Sequence, residues 1–213
     1  MQQHNLTVQK TARVYTSGNL ETATEIWIVL HGYAQLASDF LETCEVLVND
    51  NCAAVAPEGL HRFYRKGFYG DVVASWMTKE ARLKDIEDYV SYLDQVVTSF
   101  VRPGQKLNIL GFSQGVATAC RWITEGNVEP NNLILWAGTF PSDINLESGS
   151  LKHNKTNCYL VFDENDPFRN EESWSKQLRF IDDLGIKPII HNFKGGHKVP
   201  QDVLKVFAET ILK

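Results

Sequence analysis

The stretch Asn108–Trp122, NILGFSQGVATACRW, decides how this chain is read. An apolar run reaches Gly111-Phe112-Ser113-Gln114-Gly115, and residues with helical spacing follow at once. Read as strand, turn and helix, the pattern needs a very sharp turn at Ser113. There the residues two before and two after crowd each other, and glycine at both places permits it. Such a turn lifts the Ser113 hydroxyl clear of a sheet and sets it beside the free N–H groups of a helix N-terminus. The bland alternative is one serine in a glycine-rich turn. What lies at the other strand ends discriminates between the two.

Working outward, apolar runs and helical spacings alternate. EIWIVL (25–30), CAAVAPEG (52–59), KLNILGF (106–112), NLILWAG (132–138), NCYLVFD (157–163) and PIIHNF (188–193) read as strands. Their continuous apolar character suits burial on both faces. LTVQKTARVYT, residues 6–16, alternates like a half-buried strand at a sheet edge. Helical spacing is found over 36–50, 78–100, 114–126, 170–185 and 199–213. Thr78 is the expected N-cap of the second helix, Gly126 closes the third, and glutamates occupy the first turn of the fourth. The pattern predicts a mostly parallel sheet with helices on both faces, folded as one domain over residues 1–213. Residues 60–78 have five aromatics and no clear period, so an irregular, aromatic-rich insert is expected there.

In a sheet of this kind ligands bind at the C-terminal ends of the strands. Ser113-Gln114-Gly115 follows one strand, Glu164-Asn165-Asp166-Pro167 another, and Lys194-Gly195-Gly196-His197 a third. Serine, acid and histidine in that chain order are expected of the α/β-hydrolase fold. Ser113 is the candidate nucleophile and His197, past a Gly-Gly pair, the candidate base. His61 is its rival. His31 is expected to shape its own turn by hydrogen bonding, while His4, His153 and His191 have less suitable positions. Two acids compete. Asp163 ends its strand and reads as a capping or turn residue, whereas Asp166 lies in the loop, where it can reach the second ring nitrogen of a histidine. An oxyanion needs two backbone donors, expected from Gln114 and from Tyr33 in the loop after EIWIVL.

The pieces VLHGYA, GFSQG, ENDPF and GGH, in this order, resemble the phospholipase/carboxylesterase family of α/β hydrolases, which includes the acyl-protein thioesterases. The resemblance implies metal-free hydrolysis of carboxylic esters or thioesters through a serine acyl-enzyme, without a cofactor. By position it implies Ser113, Asp166 and His197 as triad, with Tyr33 and Gln114 as oxyanion donors. The chain departs from the family pattern at Ala34 and Val116, where glycine is frequent, and over residues 60–78.

Phe63, Tyr64, Phe68, Trp76, Phe140 and Phe168 are candidates to line a substrate pocket. The competing reading makes such aromatics anchors of the segment 60–78. Arg62, Arg65 and Lys66 read as a solvated loop, or as contacts to an anionic substrate. The net charge of −5 and the lack of a basic, aromatic-rich run argue against nucleic-acid binding. No run is long enough for a membrane span and the N-terminus has no apolar leader, so a cytoplasmic location is expected. The scattered cysteines, Cys44, Cys52, Cys120 and Cys158, read as reduced core residues rather than metal ligands. The expected substrate is a small or medium acyl ester or thioester. Alternatives are an amidase or peptidase on the same triad, an acyl-protein thioesterase or lysophospholipase, and a binding module without chemistry.

Overall fold

The computed structural model describes residues 1–144, 156–169, 171–183 and 187–211. The strands are β1 (Val14–Ser17), β2 (Glu25–Leu30), β3 (Cys52–Pro57), β4 (His61–Tyr64), β5 (Val72–Ser75), β6 (Lys106–Phe112), β7 (Asn132–Trp136), β8 (Asn157–Phe162) and β9 (Ile189–Asn192). The helices are α1 (Ala37–Thr43), α2 (Arg82–Phe100), α3 (Gln114–Glu125), α4 (Glu171–Asp183) and α5 (Gln201–Ile211). Seven strands form one sheet in the order β1-β3-β2-β6-β7-β8-β9. Among the described pairs of this sheet only β1–β3 is antiparallel.

Side chains alternate across each strand, so the continuous apolar runs feed two cores. From β2, Ile26, Ile28 and Leu30 join Leu107, Ile109, Leu133 and Leu135 on the α2–α3 face. Trp27 and Val29 join Leu110, Phe112, Ile134 and Trp136 on the other face, with Phe40 and Leu41 of α1 and Leu204 and Phe207 of α5. All four cysteines are free and buried. No helix among the described residues is long and apolar enough to cross a membrane.

Several boundaries differ from expectation, each for a local reason. β1 begins only at Val14, because its partners on β3 run from Pro57 to Ala54 and earlier residues pass the end of that strand. Leu6 and Val8 are therefore exposed. α1 stops at Thr43, and a 3₁₀ turn over Glu45–Leu47 carries Leu47 into the same core. α2 starts at Arg82 rather than Thr78, because Ala81 takes a left-handed conformation (φ 50°). The Thr78 hydroxyl instead accepts the Glu80 N–H, and Asp85 accepts the Thr78 N–H.

The largest difference lies in the segment expected to be irregular. Residues 61–75 form an antiparallel hairpin, with His61 opposite Ser75 and Tyr64 opposite Val72. The wide Arg65–Asp71 connection hides the alternation of its short strands. Gly59, ahead of the hairpin, lies so close to it that a Cβ would stand 2.5 Å from the Ser75 carbonyl oxygen.

Candidate active site

The turn at Ser113 is built by three glycines. Ser113 itself has φ 52° and ψ −112°, strained for a residue with a Cβ. A Cβ on Gly111 would stand 2.5 Å from the Gly115 carbonyl oxygen. One on Gly115 would stand 2.2 Å from the Leu30 carbonyl oxygen, and one on Gly138 2.5 Å from that of Ser113. The first turn of α3 thus lies directly against the ends of β2 and β7. Ser113 N–H donates to the Trp136 carbonyl at 3.0 Å, tying the turn to β7.

Three loops bring the candidate residues together. His197 Nε2 is 2.9 Å from Ser113 Oγ, and His197 Nδ1 is 2.7 Å from Asp166 Oδ2. A carboxylate only accepts, so Nδ1 carries the proton and Nε2 is free to accept the serine hydroxyl. Asp166 Oδ1 accepts the Phe168 N–H at 2.8 Å, which occupies the second oxygen and fixes the carboxylate plane. Phe112 and Phe168 pack on the imidazole at 5.2 and 4.6 Å between ring centroids.

The loop after β2 carries the other expected donor. Tyr33 N–H has no backbone acceptor among the described residues. Gln114, as the first residue of α3, has no acceptor within that helix. Neighbouring groups are pinned: Gly32 N–H donates to Gln35 Oε1, and Ala34 N–H donates to the Ala74 carbonyl. His31 is fully buried below this loop. Gly59 N–H donates to its Nε2, so its Nδ1 carries a proton and donates to the Gly32 carbonyl. Burial lowers the His31 pKa, in keeping with a neutral ring.

The other described histidines have different partners. His61 faces Asp85 at 3.2 Å. His191 packs edge-on to Phe207, His4 lies in the exposed N-terminal stretch, and His153 is outside the described residues. Asp163, the other acid, turns its carboxylate to backbone N–H groups of Gly195, Gly196 and Asn165.

The pocket candidates divide. Phe168 is 78 % exposed beside His197, and Phe63 is half-buried against the Tyr33 ring at 5.5 Å. Tyr64 is half exposed on the hairpin, and Phe68, 97 % exposed at its tip, makes no ring contact among the described residues. Trp76 and Phe140 are both buried in the core on the α2–α3 face. Trp76 anchors the hairpin, stacking on His31 and donating its indole N–H to the His31 carbonyl at 2.9 Å. Of the loop cations, Arg65 donates to the Ala34 carbonyl and Arg62 lies 3.9 Å from Glu58.

Sequence reading missed the side chain of Gln114. Its Oε1 accepts the Trp76 N–H at 3.1 Å, and its Nε2 donates to Ser75 Oγ and to the Met77 carbonyl. The residue after Ser113 therefore staples the hairpin base to the elbow. Its spacing from Ser113 points to the backbone donor, but nothing local signals the staple. Among the described residues no group of three or more His, Cys, Asp or Glu is arranged to hold a metal ion.

The comparisons agree with this architecture. The structure superposes on an esterase, PE8, with a TM-score of 0.70 at 20 % identity, covering 95 % of this chain and 99 % of that one. A phospholipase/carboxylesterase from Dyadobacter fermentans gives 0.70 at 18 %, covering 98 % and 100 %. Acyl-protein thioesterase 2 of Zea mays gives 0.72 at 15 %, covering 95 % and 98 %. At such identities the likeness establishes the α/β-hydrolase fold. No curated protein matches the sequence closely enough to count as a relative. The family model described as serine hydrolase (FSH1) matches residues 24–207, from the start of β2 into α5, and by that match the chain belongs to the FSH1 serine hydrolase family.

Proposed function

We propose that Ser113, His197 and Asp166 form a catalytic triad that hydrolyses carboxylic esters or thioesters of small to medium acyl groups. The observation that carries this reading is the continuous Oγ···Nε2 and Nδ1···Oδ2 contact at 2.9 and 2.7 Å, on a serine held at φ 52°. His197 Nε2 takes the Ser113 proton as Oγ attacks the acyl carbon, and the carbonyl electron pair moves to oxygen. The N–H groups of Tyr33 and Gln114 receive that oxyanion, with the α3 N-terminus behind it. His197 then gives its proton to the leaving alcohol or thiol. Water, deprotonated by the same ring, releases the acid and restores Ser113. Asp166 keeps the imidazole in the required tautomer and stabilises its cationic form.

The rings of Tyr33, Phe63 and Phe168 offer an apolar surface for an acyl or aryl group. The resemblance of the fold to an esterase and to an acyl-protein thioesterase supports the ester and thioester classes together. The test is hydrolysis of p-nitrophenyl acetate and butyrate, then a chain-length series of esters and matched thioesters. Activity that disappears in Ser113→Ala is expected. A folded protein without acyl hydrolysis and without fluorophosphonate labelling would overturn the reading.

A further inference from the structure

Asp163 directly follows β8 and is 3 % exposed, yet no part of the proposed chemistry uses it. Its Oδ2 accepts two N–H groups, from Gly195 and Gly196, each at 2.6 Å. Its Oδ1 accepts the Asn165 N–H at 2.8 Å, and its carbonyl accepts the Asp166 N–H at 3.1 Å. One side chain thus grips the residue before the candidate acid and the two residues before the candidate base. The adjacent strands β8 and β9 deliver these loops side by side.

The Gly195-Gly196 pair gains a specific purpose from this contact. Two successive N–H groups converge on one oxygen only when the backbone curls, and Gly196 takes φ 71° to do so. Such a concave pair of N–H groups is an anion nest. Here the anion is internal. The N–H donors, Gly196 first, then Asn165 and Gly195, hold the Asp163 carboxyl down at about 2, so it is charged wherever the protein is folded near neutrality.

We infer that Asp163 is a positioning residue: its carboxylate, bound in the Gly195–Gly196 nest, sets the distance between Asp166 and His197. The inference rests on the triad proposed above. An asparagine in its place keeps one oxygen for the glycine N–H pair, but its amide nitrogen then meets the Asn165 N–H, donor against donor. The two loops lose their common anchor, and a displacement of about 1 Å at the base is enough for a loss of about 100-fold.

The experiment compares wild type, Ser113→Ala, Asp163→Asn and Asp163→Glu. It measures fluorophosphonate labelling rate, kcat and KM on p-nitrophenyl butyrate, and the low-field proton resonance of the His197–Asp166 hydrogen bond. Folding is checked by circular dichroism. Asp163→Asn is expected to label about 100-fold more slowly, with the loss in kcat rather than KM and the resonance shifted or absent. Asp163→Glu, which keeps the charge, is expected to recover part of the rate. A folded Asp163→Asn that labels at the wild-type rate with an unmoved resonance overturns the inference, while an unlabelled Ser113→Ala leaves the triad standing. Labelling of Ser113→Ala at the wild-type rate brings down the triad itself. Should Asp163→Asn not fold, Asp163→Glu decides: a loss of about 10-fold with a shifted resonance supports the inference, and wild-type behaviour overturns it.

Discussion

The two ends of the central sheet are made from the same strands and built in opposite ways. At the N-terminal end a ladder of polar side chains crosses four strands. Asn108, Asn132 and Asn157 lie in register on β6, β7 and β8. Asn132 donates to Asn108 at 2.7 Å and Asn157 to Asn132 at 3.1 Å, while Asn108 reaches Glu25 of β2 at 3.3 Å. At the C-terminal end the chain leaves β2, β6 and β7 through Ala34, Ser113 and Ala137, at φ 59°, 52° and 48°. Three of the four described non-glycine residues with positive φ therefore stand on one edge. Satisfied hydrogen bonds hold one end, and strain collects at the other, where the candidate site lies. Stability and chemistry are thereby separable, and substitutions at the two ends should affect different measurements.

The largest effect belongs to the strained end. Ser113→Ala is expected to lower kcat/KM by at least about 10⁴-fold while leaving the unfolding midpoint almost unchanged. Ester turnover and thermal melting on one sample check both halves. A large fall in melting temperature would break the comparison, because the turn would then depend on the hydroxyl for its stability.

The converse substitution lies on the ladder. Asn132→Ala removes a donor from buried Asn108 and an acceptor from Asn157. A loss of about 2–3 kcal/mol in urea unfolding is expected, with kcat on p-nitrophenyl butyrate unchanged below the transition.

Gln114→Ala sharpens the comparison from within the site. The backbone N–H stays, and only the staple to Ser75, Trp76 and Met77 is lost. About 1–2 kcal/mol of stability should go with it. Faster proteolysis within Arg65–Asp71 and a fall of about 10-fold in kcat/KM should accompany the loss. Unchanged proteolysis would mean that Trp76 and the Ala34–Ala74 contact suffice to hold the hairpin.

A pH effect is expected from His31, buried under the strained edge. Its pKa in the folded state is lowered by burial, so below an unperturbed value of about 6.5 the unfolded chain takes up a proton that the folded one does not. Above that pH the ring is neutral in both states and contributes no slope. Stability should decline as pH falls from about 6.5 towards the lowered folded value, and more gently in His31→Asn. Equal slopes for the two proteins in urea titrations would show that His31 is not the group responsible.

Much of the strained end was legible in the chain, because close approach demands glycine and glycine is visible. Gly111, Gly115 and the Gly195-Gly196 pair all marked places where the backbone turns or curls. The ordered strand ends then brought Ser113, Asp166 and His197 forward as candidates. What escaped depends on register or on partners far along the chain. Asn108, Asn132 and Asn157 read as isolated polar residues in apolar strands until the pairing of β6, β7 and β8 lines them up. The hairpin at 61–75 escaped because its strands have four residues each and a seven-residue connection conceals their alternation. Trp76 read equally as pocket lining or as an anchor of its segment, because its hydrogen bond to His31, 45 positions earlier, leaves no local sign in the sequence.

Ala34 gives the finest test. Its left-handed backbone (φ 59°) clashes with its own Cβ, a conformation that costs an L-residue about 1–2 kcal/mol. The N–H donation to Ala74 and the acceptance from Arg65 hold it there. Glycine removes the clash, and the greater freedom it gives the unfolded chain offsets part of the gain. Ala34→Gly is thus expected to stabilise the protein by no more than about 1 kcal/mol, with kcat/KM within about twofold of wild type. Differential scanning calorimetry and ester turnover read both. Stabilisation with unchanged turnover would make the strain at Ala34 incidental to the chemistry. Stabilisation with lost turnover would mean that the rigidity of alanine, one residue past Tyr33, helps hold the proposed oxyanion donor in place.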